Sequence, residues 1–101
     1  MTQYQIPISQ EPNQTFNIDL DGQRCVFDFI TRGLYMFMNL TVNDRKVIDG
    51  MICLNEVNLV QYNEFGFKGR LFFTDTQGKL DPIYYGLNDR WLLIYEVDDV
   101  Q

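Results

Sequence analysis

The stretch from Thr15 to Thr31 constrains the fold most, because it has the pattern of a complete β-hairpin. Apolar and polar side chains alternate through Thr15–Leu20 (TFNIDL), which is the period of a strand with one buried face. Asp21-Gly22 follows at once, and this dipeptide is the strongest short signal for a two-residue hairpin turn. The chain returns through Arg24–Thr31 (RCVFDFIT) with a second apolar face.

Turn signals recur about every ten residues along the rest of the chain. They separate further segments with strand patterns, which are Tyr4–Ser9 (an edge strand, since it contains Pro7), Leu34–Val42, Lys46–Leu54, Arg70–Asp75 and Trp91–Val97. Asp49-Gly50 inside the third of these indicates either a bulge or a split into two strands. Six to eight short strands at this spacing are roughly what a small antiparallel sandwich or barrel contains. We expect residues 1–101 to form a single domain.

Only Asn55–Tyr62 (NEVNLVQY) has a pattern that fits a helical turn, with Asn55 as its cap. A short extended segment is the alternative reading of the same residues. The predicted fold class is therefore all-β, or mainly β with at most one short helix. We expect Asn63–Gly69 to be a loop and Asp98–Gln101 to be a frayed acidic tail.

The charge balance argues against two classes of partner. The chain has 8 Lys and Arg against 14 Asp and Glu, a net charge of −6, and no basic cluster of the kind that binds phosphate backbones or anionic membranes.

No apolar run approaches the ~20 residues of a membrane span, and the N-terminus lacks the pattern of a signal peptide. We therefore expect synthesis in a reducing cytoplasm, with Cys25 and Cys53 as reduced core thiols rather than a disulfide.

The sequence offers little equipment for catalysis or for binding a cofactor. It contains no histidine, so both a zinc site and a nucleophile would lack their usual partner. Asp75, Asp81 and Asp89 are the one group of carboxylates that could serve a glycosidase or hold calcium. The carboxylate of an aspartate at a turn usually accepts a hydrogen bond from a nearby backbone N–H group instead. We expect no enzyme activity, no cofactor and no metal site.

Aromatic side chains exceed what one small core needs, and they concentrate in Leu34–Val42 and in Asp75–Tyr95. Surplus apolar surface on a small domain commonly marks a contact with a partner. The predicted interface residues are Tyr35, Phe37, Tyr84, Tyr85 and Arg90. The predicted turn and core residues are Gly22, Gly50, Gly78, Pro82, Gly86 and Trp91. Arg90 is expected to stack on Trp91 or to pair with Asp81 or Asp89.

Two other functions fit the same residues. Tyr84, Tyr85 and Trp91 could form an aromatic platform that binds a carbohydrate or another small ligand. The other alternative is that the protein is a cytoplasmic accessory subunit of an enzyme.

The order of several segments resembles the baseplate plug proteins of contractile-tailed bacteriophages. These segments are PNQTF, LDGQRC, LYMFMNLTVND, VIDGMICLNEVNLVQY and GRLFFTDTQGKLDPIYYGLNDRWLLIY. The resemblance implies a small β-rich structural protein of the virion, located where the tail tube meets the central hub and spike. It implies tail proteins as partners, a symmetric homo-oligomeric ring, and neither an enzyme nor a cofactor. The acidic balance would suit a surface near a DNA conduit, because it does not adsorb phosphate.

Overall fold

The computed structural model describes residues 2–60 and 67–97, in which two antiparallel sheets pack as a β-sandwich, as predicted, and not as a barrel. The strands are β1 (Thr2–Ile6), β2 (Asn13–Leu20), β3 (Gln23–Arg32), β4 (Tyr35–Val42), β5 (Arg45–Ile52), β6 (Arg70–Asp75) and β7 (Trp91–Val97). The helical content of these residues is a single 3₁₀ turn at Tyr84–Gly86.

The first sheet has the strand order β2-β3-β4-β5 and is built by consecutive hairpins. Asp21 and Gly22 have φ angles of 54° and 82°, as a type I′ turn requires. Asn43 and Asp44, at 50° and 68°, make the second turn of this kind. Gly33 has a φ of 62° and fills the first central position of the turn between β3 and β4, so Leu34 belongs to that turn and not to the strand.

The edge strand β5 is bulged. Its register with β4 shifts twice, between Met38 and Leu40 and between Leu40 and Thr41. Gly50 has a φ of 77°, and its N–H donates to Oδ1 of Asn39 at 2.7 Å. Of the two predicted alternatives for Asp49-Gly50, the bulge is the one that forms.

The second sheet has the order β1-β7-β6, with the apolar strand β7 in its centre. The predicted edge position of the N-terminal strand is confirmed, although β1 spans Thr2–Ile6 rather than Tyr4–Ser9. Its pairing with β7 ends at Ile6, directly before Pro7, which has no N–H to donate to a ladder.

The predicted helical turn at Asn55–Tyr62 is wrong for residues 55–60, which run beside the free edge of β6. The N–H of Glu56 donates to the carbonyl of Phe73 at 2.7 Å, and the N–H of Leu59 donates to that of Leu71 at 2.7 Å. Glu56 has a φ of 58°, which no α-helix accommodates. Pairing with an exposed strand edge therefore replaces the local helical hydrogen bonds. Gln61, Tyr62, residues 63–66 of the predicted loop and the predicted tail 98–101 lie outside the described residues.

The core lies between the two sheets and is built from alternate residues of each strand. The ring of Phe29 in β3 meets that of Phe73 in β6 edge to face, with centroids 5.8 Å apart. Cys25 and Cys53 are both buried and both free, as predicted. Among the described residues, the fully buried large side chains include Trp91, Tyr95, Phe27, Phe29, Phe73, Ile6, Met36, Met38, Leu40, Leu59, Leu71 and Leu87.

Contacts between the sheets show which ends of the strands coincide. At the start of β3, the side-chain amide of Gln23 donates to the Lys68 carbonyl at 3.2 Å, just before β6 begins. Since Phe29 meets Phe73 further along, β3 and β6 run in the same direction. The turn after β3 and the loop after β6 therefore lie at one end of the sandwich.

Candidate interaction surface

The loop between β6 and β7 is anchored by an ion pair whose carboxylate is buried and whose guanidinium is partly exposed. The guanidinium of Arg90 binds Asp75 through two hydrogen bonds, Nε to Oδ1 and Nη2 to Oδ2, each 2.8 Å long. The Asp75 carboxylate also accepts the backbone N–H groups of Gln77 and Leu80, both at 2.9 Å. These donors, with that of Arg90 first, hold the pKa of Asp75 well below its ordinary range. One carboxylate thus closes the turn that follows β6.

Trp91 is the base on which this loop rests. Its side chain is 1% exposed, and its indole N–H donates to the carbonyl of Leu80 at 3.0 Å. The guanidinium carbon of Arg90 lies 4.6 Å from the centroid of the Trp91 ring, within the range of a cation–π contact. A Cβ on Gly86 would come within 2.4 Å of Cζ3 of Trp91, so this position admits only glycine without a shift of the ring.

Backbone hydrogen bonds fix the second half of the loop. The N–H of Arg90 donates to the carbonyl of Gly86 at 2.8 Å, and that of Asn88 donates to the Trp91 carbonyl at 2.8 Å. Asn88 has a φ of 61°, which asparagine tolerates better than most residues. Its side-chain amide donates to the carbonyl of Ile8 at 2.7 Å. The loop is therefore joined to the segment that leaves β1.

Four large apolar side chains are exposed at this end of the sandwich, and we call them the apolar end: Leu34 (75% exposed), Tyr35 (46%), Leu80 (58%) and Tyr85 (63%). Leu34 comes from the β3–β4 turn and Tyr35 from the first position of β4. Leu80 and Tyr85 come from the β6–β7 loop. A short stretch of chain links the two groups. The N–H of Cys53 donates to the Met36 carbonyl at 2.8 Å, and two residues later that of Asn55 donates to Oδ1 of Asp81 at 2.9 Å.

The structure places Tyr35 and Phe37 on the outer face of the four-stranded sheet, near the apolar end. Phe37 is paired with Ile30 on one side and Ile52 on the other, and all three are half-buried. They form an apolar row across the sheet that no other element covers among the described residues.

Tyr84, Tyr85 and Arg90 differ in exposure. Tyr85 is the exposed member, whereas Tyr84 packs partly against the core. The prediction that Arg90 stacks on Trp91 is confirmed. The predicted pairing of Arg90 with Asp81 or Asp89 is wrong, because both ends of its fork are bound to Asp75. Arg90 consequently holds the loop in shape.

Of the remaining predicted turn residues, Gly22 and Gly78 fall in turns that connect strands, whereas Gly50 lies in the bulge of β5. Gly22 and Gly50 have positive φ angles, and Gly78 lies in the exposed turn after β6, where a Cβ would be 3.3 Å from Nη2 of Arg90. Pro82 is buried beneath the loop.

The three aspartates considered for catalysis or calcium do not converge on an open site. Asp75 is bound to Arg90, and Asp81 accepts the N–H of Asn55. Asp89 is an exposed turn residue. Within residues 2–60 and 67–97, no three His, Cys, Asp or Glu side chains are grouped so that they could hold a metal ion.

Two of the four exposed apolar residues, Leu34 and Leu80, were not predicted from the sequence. Each has a recognisable signal: a leucine in a turn of otherwise polar or glycine residues, after Gly33 in one case and after Gly78-Lys79 in the other. No helix in the described parts of the chain combines the length and the apolar character needed to cross a membrane.

Comparison with known proteins connects this architecture to a phage tail. A family model described as "Cyanophage baseplate Pam3 plug gp18" matches residues 3–98, which run from the second residue of β1 to just past the end of β7. A search of curated proteins finds no match to this chain. The chain belongs to this baseplate plug family, whose members are structural proteins of the phage tail baseplate.

Proposed function

We propose that this protein connects or plugs the tail tube at the central hub and spike of a contractile tail, and that the apolar end is the surface it docks with. It is made in the host cytoplasm and acts in the virion as a symmetric homo-oligomeric ring. It works through protein–protein contacts and without catalysis or a cofactor.

The exposure of Leu34, Tyr35, Leu80 and Tyr85 at one end is the observation that carries this proposal. Aromatic and aliphatic side chains of this kind are the usual anchors of interfaces, provided that they are held rigidly. The bound pair of Asp75 and Arg90 supplies that rigidity by fixing both sides of the loop. The half-buried row of Ile30, Phe37 and Ile52 extends the same surface along the outer face of the sheet.

The geometry gives less support to carbohydrate binding. Trp91 is buried, so a platform would consist of Tyr84 and Tyr85 alone. Their rings meet at 71°, and two rings at this angle do not offer one flat stacking face.

The test is complementation of a phage that lacks the gene, with plug copies counted in purified tails and infectious particles titred. The variant Leu80→Ser with Tyr85→Ala should fold normally, because both side chains are exposed, but should be lost from tails. Lys46→Ala is the control, since its side chain is 54% exposed at the opposite end, and it should be incorporated normally. Trp91→Ala should instead lower the melting temperature.

Normal incorporation of the Leu80 and Tyr85 variant would show that the apolar end is not the docking surface. Imaging of the assembled tail should find the copies arranged in a ring at the junction of tube and hub. A position elsewhere in the virion, or a single copy per tail, would contradict the proposal.

A further inference from the structure

The described strands have four sheet edges, and three of them are protected against pairing with another chain. β6 is covered by residues 55–59 through backbone hydrogen bonds. β5 is bulged and carries Lys46. β1 is five residues long and is followed by Pro7. Proteins usually block edge pairing by covering the edge, by a bulge, by lysine or proline, or by keeping the strand short.

The fourth edge, β2, has none of these protections within the strand, although Pro12 directly precedes it. It spans eight residues, Asn13–Leu20, without proline or lysine. All eight pair with β3 in an unbroken register, so the strand is straight enough to accept a neighbour on its other side. Among the described residues, no backbone hydrogen bond joins this outer edge to another segment.

The hairpin geometry identifies the backbone groups that face outward. Leu20 and Gln23 flank the two-residue turn, and such a pair exchanges both of its backbone hydrogen bonds. Because the pattern alternates along the strand, the N–H and C=O groups of Thr15, Asn17 and Asp19 point away from β3. Three successive outward pairs can bind an added strand over roughly 14 Å, at ~3.4 Å per residue.

An open groove follows this edge along the seam between β1 and β2. One section holds about 470 Å³ and lies between Ile8 and Phe16. The next holds about 280 Å³ and lies between Tyr4 and Leu20. Ile18 lines both sections, so the groove continues along β2. Its apolar floor would take the alternate side chains of an extended segment.

The charged residues that line the groove are all acidic: Glu11, Asp19 and Asp21. Among the described residues, cations lie beside two of these carboxylates. The Lys68 ammonium group is 3.9 Å from Asp21. Arg24 stands opposite Asp19 on β3, although its guanidinium binds Asp44. The groove therefore complements a segment that carries lysine or arginine next to its apolar residues.

We propose that β2 accepts an extended basic segment of a different tail protein, which adds as a fifth strand to the four-stranded sheet. This inference rests on the proposed function, since it assumes a place in the tail. The proposed strand addition makes β2 a second contact surface, separate from the apolar end. This surface recognises the backbone and the positive charge of the partner segment.

The structure disfavours a second copy of this chain as the occupant. Two β2 strands side by side would bring two acidic grooves together. The other edges of the described residues are blocked as set out above.

Hydrogen exchange tests the proposal even while the partner is unidentified. In the isolated protein, the outward amides of Thr15, Asn17 and Asp19 should exchange rapidly. In purified tails they should be protected, whereas those of β5 should change less. If the protein is found in tails but these amides still exchange rapidly, strand addition is wrong and the proposed function stands. If the protein is absent from tails, the proposed function itself fails.

Substitution at Asn17 provides a matched pair of variants. Asn17→Pro removes one outward N–H while leaving the bonds to β3 intact, which an edge strand tolerates. It should reduce the copies per tail by about tenfold or more, the effect of ~1.4 kcal/mol of binding free energy. Asn17→Ala keeps the N–H and should be incorporated normally.

Charge reversal gives an independent test if Asn17→Pro misfolds. Asp19→Lys should fold, because its side chain is exposed, and should also be depleted from tails. If Asp19→Lys is incorporated into tails as well as wild type, the partner segment is not basic. Protection of the β2 amides on self-association of the pure protein would show that the occupant is another copy.

Discussion

Single side chains decide the shape of the β6–β7 loop. Asp75 binds Arg90, Gln77 and Leu80 together, so one carboxylate connects the end of β6 to the start of β7. Arg90, although it is next to exposed residues, therefore has a structural role in this loop through its two hydrogen bonds to Asp75.

Asp75→Asn should destabilise the protein markedly, because the amide places its own donors opposite those of Arg90 and Leu80. The pKa of Asp75 is lower in the folded state than its ordinary value of 3.8. Its contribution to stability is therefore complete above that value and is lost as the pH falls through the lower folded pKa. Thermal melting of both proteins from neutral to acidic pH should show curves that converge only in strong acid.

Asp44→Asn is the control for this prediction. Asp44 binds Arg24 at 2.9 Å, but the two side chains are 84% and 66% exposed. Exposed pairs contribute little to stability, so this variant should melt close to wild type at every pH. If Asp75→Asn lowers the melting temperature no more than Asp44→Asn does, the pair of Asp75 and Arg90 does not anchor the loop.

Among the elements, the segment from Asn55 to Leu59 has the least regular structure and closes one sheet. It pairs with β6 through backbone and side chain alternately. Oδ1 of Asn58 accepts the N–H of Leu71 at 3.2 Å, and Oδ1 of Asn55 accepts the N–H of Asp75 at 2.9 Å. The asparagine side chains thus accept N–H groups of β6 that the segment's own backbone carbonyls do not reach.

Asn58→Ala should lower the free energy of unfolding by ~1–3 kcal/mol, because the N–H of buried Leu71 loses its acceptor. Urea denaturation measures the change. Asn17→Ala, at an exposed position of β2, should stay within ~0.5 kcal/mol of wild type. Equal stability of the two variants would mean that water or another group replaces the acceptor without cost.

The strands were predictable from the sequence because their information is local. Alternation in Thr15–Leu20 and the Asp21-Gly22 turn specify a hairpin without reference to the rest of the chain. The segment after Asn55 was not predictable, because its hydrogen-bond partners are about 15 residues away in β6. The same holds for Arg90: Asp81 and Asp89 were its predicted partners, and the folded loop brings it to Asp75 instead.

For the candidate surface, aromatic content indicated segments that carry exposed aromatic residues, but it did not show which of these residues are exposed. Tyr84 and Tyr85 are adjacent in sequence, and the 3₁₀ turn exposes one while it half-buries the other. Such a difference depends on the local rotation of the backbone, which composition does not encode.

At the scale of the whole molecule, the two cysteines report on global unfolding. Burial, followed by the nearby charge of Asp19, raises the pKa of Cys25 to about 11. Burial also raises the pKa of Cys53. Both thiols therefore remain protonated and inaccessible in the folded protein at neutral pH.

Reaction with a thiol reagent at pH 8 should accordingly be slow and should follow the population of unfolded protein. Asp75→Asn should accelerate it by the factor by which the unfolded population rises, whereas Asp44→Asn should not. An added exposed thiol, Ser9→Cys, should react at once and serves as the positive control. Rapid reaction of the wild-type thiols would show local opening of the sandwich.

The position of the apolar end relative to the strands has a mechanical consequence. The loop that carries Leu80 and Tyr85 joins β6 directly to β7, and β7 pairs with β1 over five residue positions. Hydrogen bonds between antiparallel strands lie perpendicular to the strands. A pull on the loop along the strand axis therefore loads these bonds in shear, all together, instead of opening them one after another. A load applied to the apolar end along the strands would therefore be resisted better than a load applied across them.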